Sequence, residues 1–123
     1  MTEKKYDIEE RLIDFAVKII FFTESLPNTK TTNHLGGQLL RSGTSPSLNY
    51  GEAKSAESKN DFLHKMKVCL KELRESYNGL RIMHRAKIYK SENQIIELIT
   101  EYNELISIFV KSIGTASKPK PTS

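Results

Sequence analysis

The chain has 123 residues, enough for one domain whose core needs neither disulfide nor metal. Its single cysteine, Cys69, excludes an internal disulfide, and the absence of any apolar run of about eighteen residues excludes a membrane-spanning helix. With no apolar signal core near the N-terminus the expected compartment is the cytoplasm, and a net charge of +4 is too small to name a partner.

Residues 1–6 are polar and are expected to fray. Asp7, with Glu10 three positions on, reads as the start of a first helix. Ile8, Leu12, Phe15, Ile19, Phe22 and Leu26 follow at steps of four and three, the spacing of a bundle seam, and Pro27 stops it. The same helix carries a second apolar set: Ile13, Ala16, Val17, Ile20 and Phe21. A helix this apolar either lies deep in the centre or also makes a subunit contact. Ile13, Val17, Ile20 and Phe21 are the candidates for that contact.

Residues 28–34 form a turn, with Asn28, Thr31 or Thr32 as caps for a second helix. That helix runs into the least ordinary part of the chain, residues 38–54. Leu35, Leu39, Ser42, Pro46, Asn49 and Ala53 recur at helical spacing, and most of this side is small or polar, so a neighbouring helix can approach closely. Gly36 and Gly37 weaken the helix, and Pro46 removes an N–H from it. A kink or a break near residues 42–46 is the expectation. Asn49 and Glu52 lie on or near the packed side and are expected to bond to a neighbouring helix or subunit; alternatively, Glu52 faces water.

Ser58 and Asp61 make a cap for a third helix over about 59–87. Phe62, Met66, Cys69 or Leu70, Leu73, Tyr77, Leu80 and Met83 form its apolar face. The short connection 88–91 makes the third and fourth helices antiparallel neighbours. Ser91 and Gln94 cap the fourth, which repeats Ile95, Ile99, Tyr102, Ile106, Phe109 and Ile113 and has Gly114 as its stop. Residues 115–123 are rich in Pro, Ser and Lys and read as a disordered tail. The fold class is therefore all-α: one antiparallel up-down-up-down four-helix bundle over residues 7–114.

Charge is uneven along the chain. Residues 59–90 hold nine Lys and Arg against three Asp and Glu, a net of +6, which leaves −2 for the remainder. Lys67, Lys71, Arg74, Arg81 and Arg85, with Asn78 between them, fall within about 80° of the helix circumference. Such a ridge either contacts phosphates or is a solvated face laced by pairs such as Lys71 with Glu75. No aromatic platform interleaves it, which argues against base stacking. His34, His64 and His84 lack metal-ligand spacing, and Cys69 reads as a buried inert thiol. Neither a cofactor nor a catalytic pair is expected.

Gln38, Arg41, Ser42, Gly43 and Ser45, followed by Asn49, Glu52 and Ala53, resemble the motif of the bacterial four helix bundle protein family, which includes proteins encoded in intervening sequences of large-subunit ribosomal RNA genes. Segments 58–65 and 70–75 resemble the same family, and the similarity covers about residues 8–112. Pro46-Ser47 departs from the pattern, which has an aliphatic residue followed by Gly or Pro. The resemblance implies an antiparallel bundle that assembles as a ring-like homopentamer. It also implies kinship with accessory proteins of diversity-generating retroelements, which are basic pentameric bundles that bind nucleic acid and a reverse transcriptase. No enzymatic activity is established for the family.

The functional expectation is a non-enzymatic homo-oligomer binding the RNA or DNA backbone through Lys67, Lys71, Arg74, Arg81 and Arg85. A scaffold that docks a protein partner is the second reading. An enzyme with a subunit-junction site using Glu52 or His64 is the third.

Overall fold

The computed structural model describes residues 7–119 and contains four helices: α1 (Ile8–Glu24), α2 (Lys30–Lys54), α3 (Lys59–Arg85) and α4 (Glu92–Ser117). The frayed segment expected over residues 1–6 and the last four residues of the expected tail lie outside the described residues. Each helix packs on its neighbours in sequence, and α1 closes the ring against α4, where the contact is thinnest. This is an antiparallel four-helix bundle.

The helix starts follow the sequence closely, because each cap satisfies an N–H that has no partner within the helix. Asp7 accepts from the Glu9 N–H, Ser58 from Asp61 and Ser91 from Gln94. For α2 the cap is Thr29, whose hydroxyl accepts from the Thr32 N–H at 3.1 Å, rather than Asn28, Thr31 or Thr32. Thr32 is instead buried inside the first turn.

Two helix ends differ from expectation. Helix α3 stops at Arg85, because Lys87 takes a left-handed backbone at φ 58°. The Ile88 N–H then reaches the Met83 carbonyl at 2.8 Å and the Lys87 N–H the His84 carbonyl at 3.1 Å, which is the bonding pattern of a Schellman motif. Gly114 does not end α4, since its φ is not positive; the helix continues to Ser117.

Helix α2 is neither broken nor interrupted at Pro46. A proline inside a helix costs about 3 kcal/mol, so packing must offset it. Pro46 is fully buried, and the Cys69 thiol of α3 donates to its carbonyl at 3.6 Å. Nearby hydroxyls bond back to the preceding turn: Ser42 to the Gln38 carbonyl at 3.0 Å, Thr44 to Leu40 at 2.8 Å and Ser47 to Thr44 at 2.9 Å. The small side of α2 admits its neighbours. Gly43 is buried where a β-carbon would lie 2.9 Å from Ile19 Cγ2 and 3.0 Å from the Tyr102 hydroxyl. Gly37 and Gly51 point into open space, so the chain's own packing requires neither.

The core is built from Leu12, Phe15, Ile19 and Phe22 of α1, Leu39 and Ala53 of α2, Met66, Cys69, Leu73, Leu80 and Met83 of α3, and Ile95, Leu98, Tyr102, Leu105 and Phe109 of α4. Phe15 meets Tyr102 edge to face, with centroids 4.1 Å apart. The inward face of α4 is turned slightly from the expected one. Leu98 and Leu105 are buried, whereas Ile99, Ile106 and Ile113 pack at its margin. At mid-height, Ser76 of α3 donates to Ser42 of α2 at 2.6 Å, a buried hydroxyl pair between facing helices.

Candidate nucleic-acid interface

Turning Met66, Cys69, Leu73, Ser76, Leu80 and Met83 of α3 inward puts residues 67, 71, 74, 78, 81 and 85 on the outer surface. Lys67, Lys71, Arg74, Arg81 and Arg85 are all exposed. Among the described residues none of the five is held in an ion pair.

The reason lies in where the nearby carboxylates go. Arg41 of α2 reaches across to α3, with Nη1 3.2 Å from both Glu72 carboxylate oxygens and Nη2 bonded to Glu75. These bonds, first to Glu75 and then to Glu72, raise the Arg41 guanidinium above its ordinary value. The pair of Lys71 with Glu75 that helical spacing allows is therefore not formed. Arg11 of α1 binds Glu101 at 3.0 Å and also Glu104, both on α4.

An aromatic residue borders the ridge without belonging to it. Tyr77 occupies the edge of the apolar face and is only half-buried. The Arg81 guanidinium carbon lies over its ring, 5.5 Å from the centroid, a cation–π arrangement. Arg81 Nη1 also donates to Asn78 Oδ1 at 3.3 Å. The signal was present in the sequence: Tyr77 precedes Arg81 by four residues, the spacing at which helical side chains meet. Arg74, Tyr77 and Asn78, with Asn103 and Ile106 of α4, line a shallow pocket of about 240 Å³. A second pocket, of about 300 Å³, adjoins it along Asn78, Arg81, Ile82 and Arg85.

The motif residues of α2 separate by role. Ser42 and Gly43 are buried and close the bundle, and Arg41 clamps α3 from the surface. Gln38 is exposed and contributes its backbone carbonyl to Ser42. Asn49 does not reach another helix of the chain: its Nδ2 donates to Ser45 Oγ at 2.9 Å within α2. Glu52 is exposed.

A second surface is apolar. Ile13, Val17, Ile20 and Phe21 are 43%, 41%, 40% and 64% exposed, so α1 is not a fully central helix. Leu40 and Leu48 of α2 are exposed as well. Phe21 and Lys18 border a cleft of about 900 Å³ between α1 and the first turns of α4, where Ile96, Glu97 and Glu101 also line it.

Other candidate chemistry stays dispersed. His34 and His64 are exposed, and His84 lies 3.1 Å from Glu92. Among the described residues no group of His, Cys, Asp and Glu could hold a metal ion. Burial pushes the Cys69 thiol up to about 12. No helix among the described residues is long and apolar enough to cross a membrane.

These features define a four-helix bundle knit at its centre by small residues of α2, with a row of exposed cations on α3. The chain belongs to the 23S rRNA-intervening sequence protein family, whose model matches residues 4–111. It is similar to a crystal structure of a protein of unknown function from the S23 ribosomal protein family of Bacteroides thetaiotaomicron. The two share 29% identity with a TM-score of 0.80, over 87% of this chain and 98% of the other. No curated protein matches the chain.

Proposed function

We propose that the protein is a non-enzymatic homo-oligomeric bundle that binds the backbone of RNA or DNA through α3. One observation carries this reading: the five exposed cations of α3 have no carboxylate partner among the described residues, and Arg41 holds Glu72 and Glu75, the acids nearest Lys71. Unpaired cations release counterions from a phosphate chain at no cost in broken ion pairs. The family's link to ribosomal RNA intervening sequences is compatible with such a ligand. Phosphate contacts alone carry no sequence, so specificity from the ridge is low. The exposed Ile13, Val17, Ile20 and Phe21 are the self-association surface, and a ring of five is the assembly implied by the resemblance.

The test is binding of the nuclease-treated protein to RNA and DNA across a salt series, with mass measured by light scattering in the same samples. A pentamer with steep salt dependence supports the reading. If all five cations engage duplex DNA, the logarithmic slope approaches about −4.5 per protomer. Changing Lys71 and Arg74 to Glu abolishes binding without unfolding the bundle; an unchanged slope in that variant would place the site elsewhere. A pentamer that binds no nucleic acid at low salt leaves the scaffold reading. Leu48, 71% exposed on α2, favours that reading because it offers an apolar contact apart from the ridge.

A further inference from the structure

We infer that the pocket between Tyr77 and Asn103 seats one unpaired nucleobase, so that the ridge selects a single strand over a duplex; the inference rests on the backbone-binding reading above. The ridge is not uniformly ionic. Beside it the half-buried Tyr77 ring lies under the Arg81 guanidinium carbon, 5.5 Å from the centroid, and lines the pocket that opens towards Asn103. Bases stack on both aromatic rings and guanidinium planes, but only when their own faces are free, which a duplex does not allow.

The pocket beside this pair supplies edges as well as a face. Asn78 and Asn103 enter it from α3 and α4. Asn78 Oδ1 is taken by Arg81, which leaves the Nδ2 donors, while Asn103 is exposed and brings a whole amide. An amide offers the donors and acceptor that a base edge needs. Ile106 and Ile82 add apolar surface on either side of Asn78. Arg74 lines the pocket itself, and Arg81 and Arg85 line the one that adjoins it. Arg74 and Arg81 are two turns apart, about 10 Å along the helix. The strand's phosphates thus meet cations on both sides of the inserted base. One aromatic seat per protomer gives a base-tolerant preference for single strands rather than a sequence code.

The experiment uses the full chain and three labelled probes of equal length: a polyuridine strand, the same strand with abasic sugars, and a duplex. Affinities are read by fluorescence anisotropy at one salt concentration. The expected result is binding of the base-bearing strand about tenfold tighter than of the abasic strand. Tyr77→Leu brings that ratio close to one. Asn103→Ala, on the exposed face of α4, lowers the ratio without touching the core and so guards against a folding defect in the first variant. Photocrosslinking a bromouridine strand and mapping the adduct to Tyr77 supplies a readout that a purely structural tyrosine would not give. Equal affinity for base-bearing and abasic strands, with binding retained, overturns the base seat and leaves the ridge standing. Failure of every probe to bind at low salt overturns the ridge together with the seat.

Discussion

The Tyr102 hydroxyl of α4 sits 3.0 Å from the point where a β-carbon on Gly43 of α2 would lie, although these two helices are diagonal and have no backbone contact. Gly43 is therefore a notch that receives a side chain from across the bundle. Alanine would gain about 1 kcal/mol in helix propensity but must displace Ile19 and a fully buried tyrosine. Gly43→Ala is expected to lower stability by about 1–3 kcal/mol through overpacking, measured by urea unfolding. Tyr102→Phe should return part of that loss in the double variant. Ser76 lies close to the Tyr102 hydroxyl, yet no hydrogen bond of sound geometry reaches it, so deleting that oxygen removes no good bond. Equal losses from Gly43→Ala in both backgrounds would assign the whole clash to Ile19.

Arg41 acts on the ridge without belonging to it. Arg41→Ala frees Glu75 to pair with Lys71 one turn away and leaves Glu72 uncompensated beside the cations. Thermal stability should change little, because these are surface pairs. Affinity for a nucleic-acid probe at fixed salt should fall several-fold, with a shallower salt slope. Unchanged affinity would mean that the Glu72 and Glu75 charges do not reach the ligand.

Cys69 gives the fold a defined alkaline limit. Its folded value of about 12 lies above the ordinary 9.0, chiefly because burial disfavours the thiolate. A group raised on folding contributes its full stability below the unfolded value and loses it as pH climbs from about 9 towards 12. Burial raises Tyr102 in the same sense, which extends the loss upward. Urea midpoints should therefore be flat across neutral pH and fall above pH 9, with a gentler decline in Cys69→Ala. At pH 8 the native thiol should resist a disulfide reagent that labels the unfolded chain at once.

Lys87 occupies a left-handed position that glycine fills without steric cost. Lys87→Gly keeps the two backbone bonds that end α3 and removes the β-carbon strain. The gain should be about 0.5–1 kcal/mol after allowance for the freer unfolded chain, visible as a higher melting temperature. A loss would show that the lysine side chain contributes more than its backbone costs.

The starts of α1, α3 and α4 could be read from Asp7, Ser58 and Ser91, because caps and apolar spacing are local properties. The continuity of α2 could not. Pro46 and Gly43 weaken a helix taken by itself, and what holds it comes from Ile19, Cys69 and Tyr102 on other helices. The cations of the ridge could be located from spacing alone. That Lys71 is left without Glu75 depends on Arg41, whose choice of Glu72 and Glu75 is set by the α2–α3 packing. Tyr77 packs at the margin of the apolar face, a position that a seven-residue pattern does not distinguish from its centre.

Nearly every helix contact joins elements consecutive in the chain; the seam between α1 and α4 is the exception and the slightest. Such a topology closes small loops first, so neighbouring helices can pair rapidly before the α1–α4 seam closes. The same order run backwards makes detachment of a terminal helix, α1 or α4, the easiest large opening of the native state, with amide exchange fastest along those helices. One of these two terminal helices, α1, is the one whose outer surface is apolar, and association through that surface would make its docking effectively permanent.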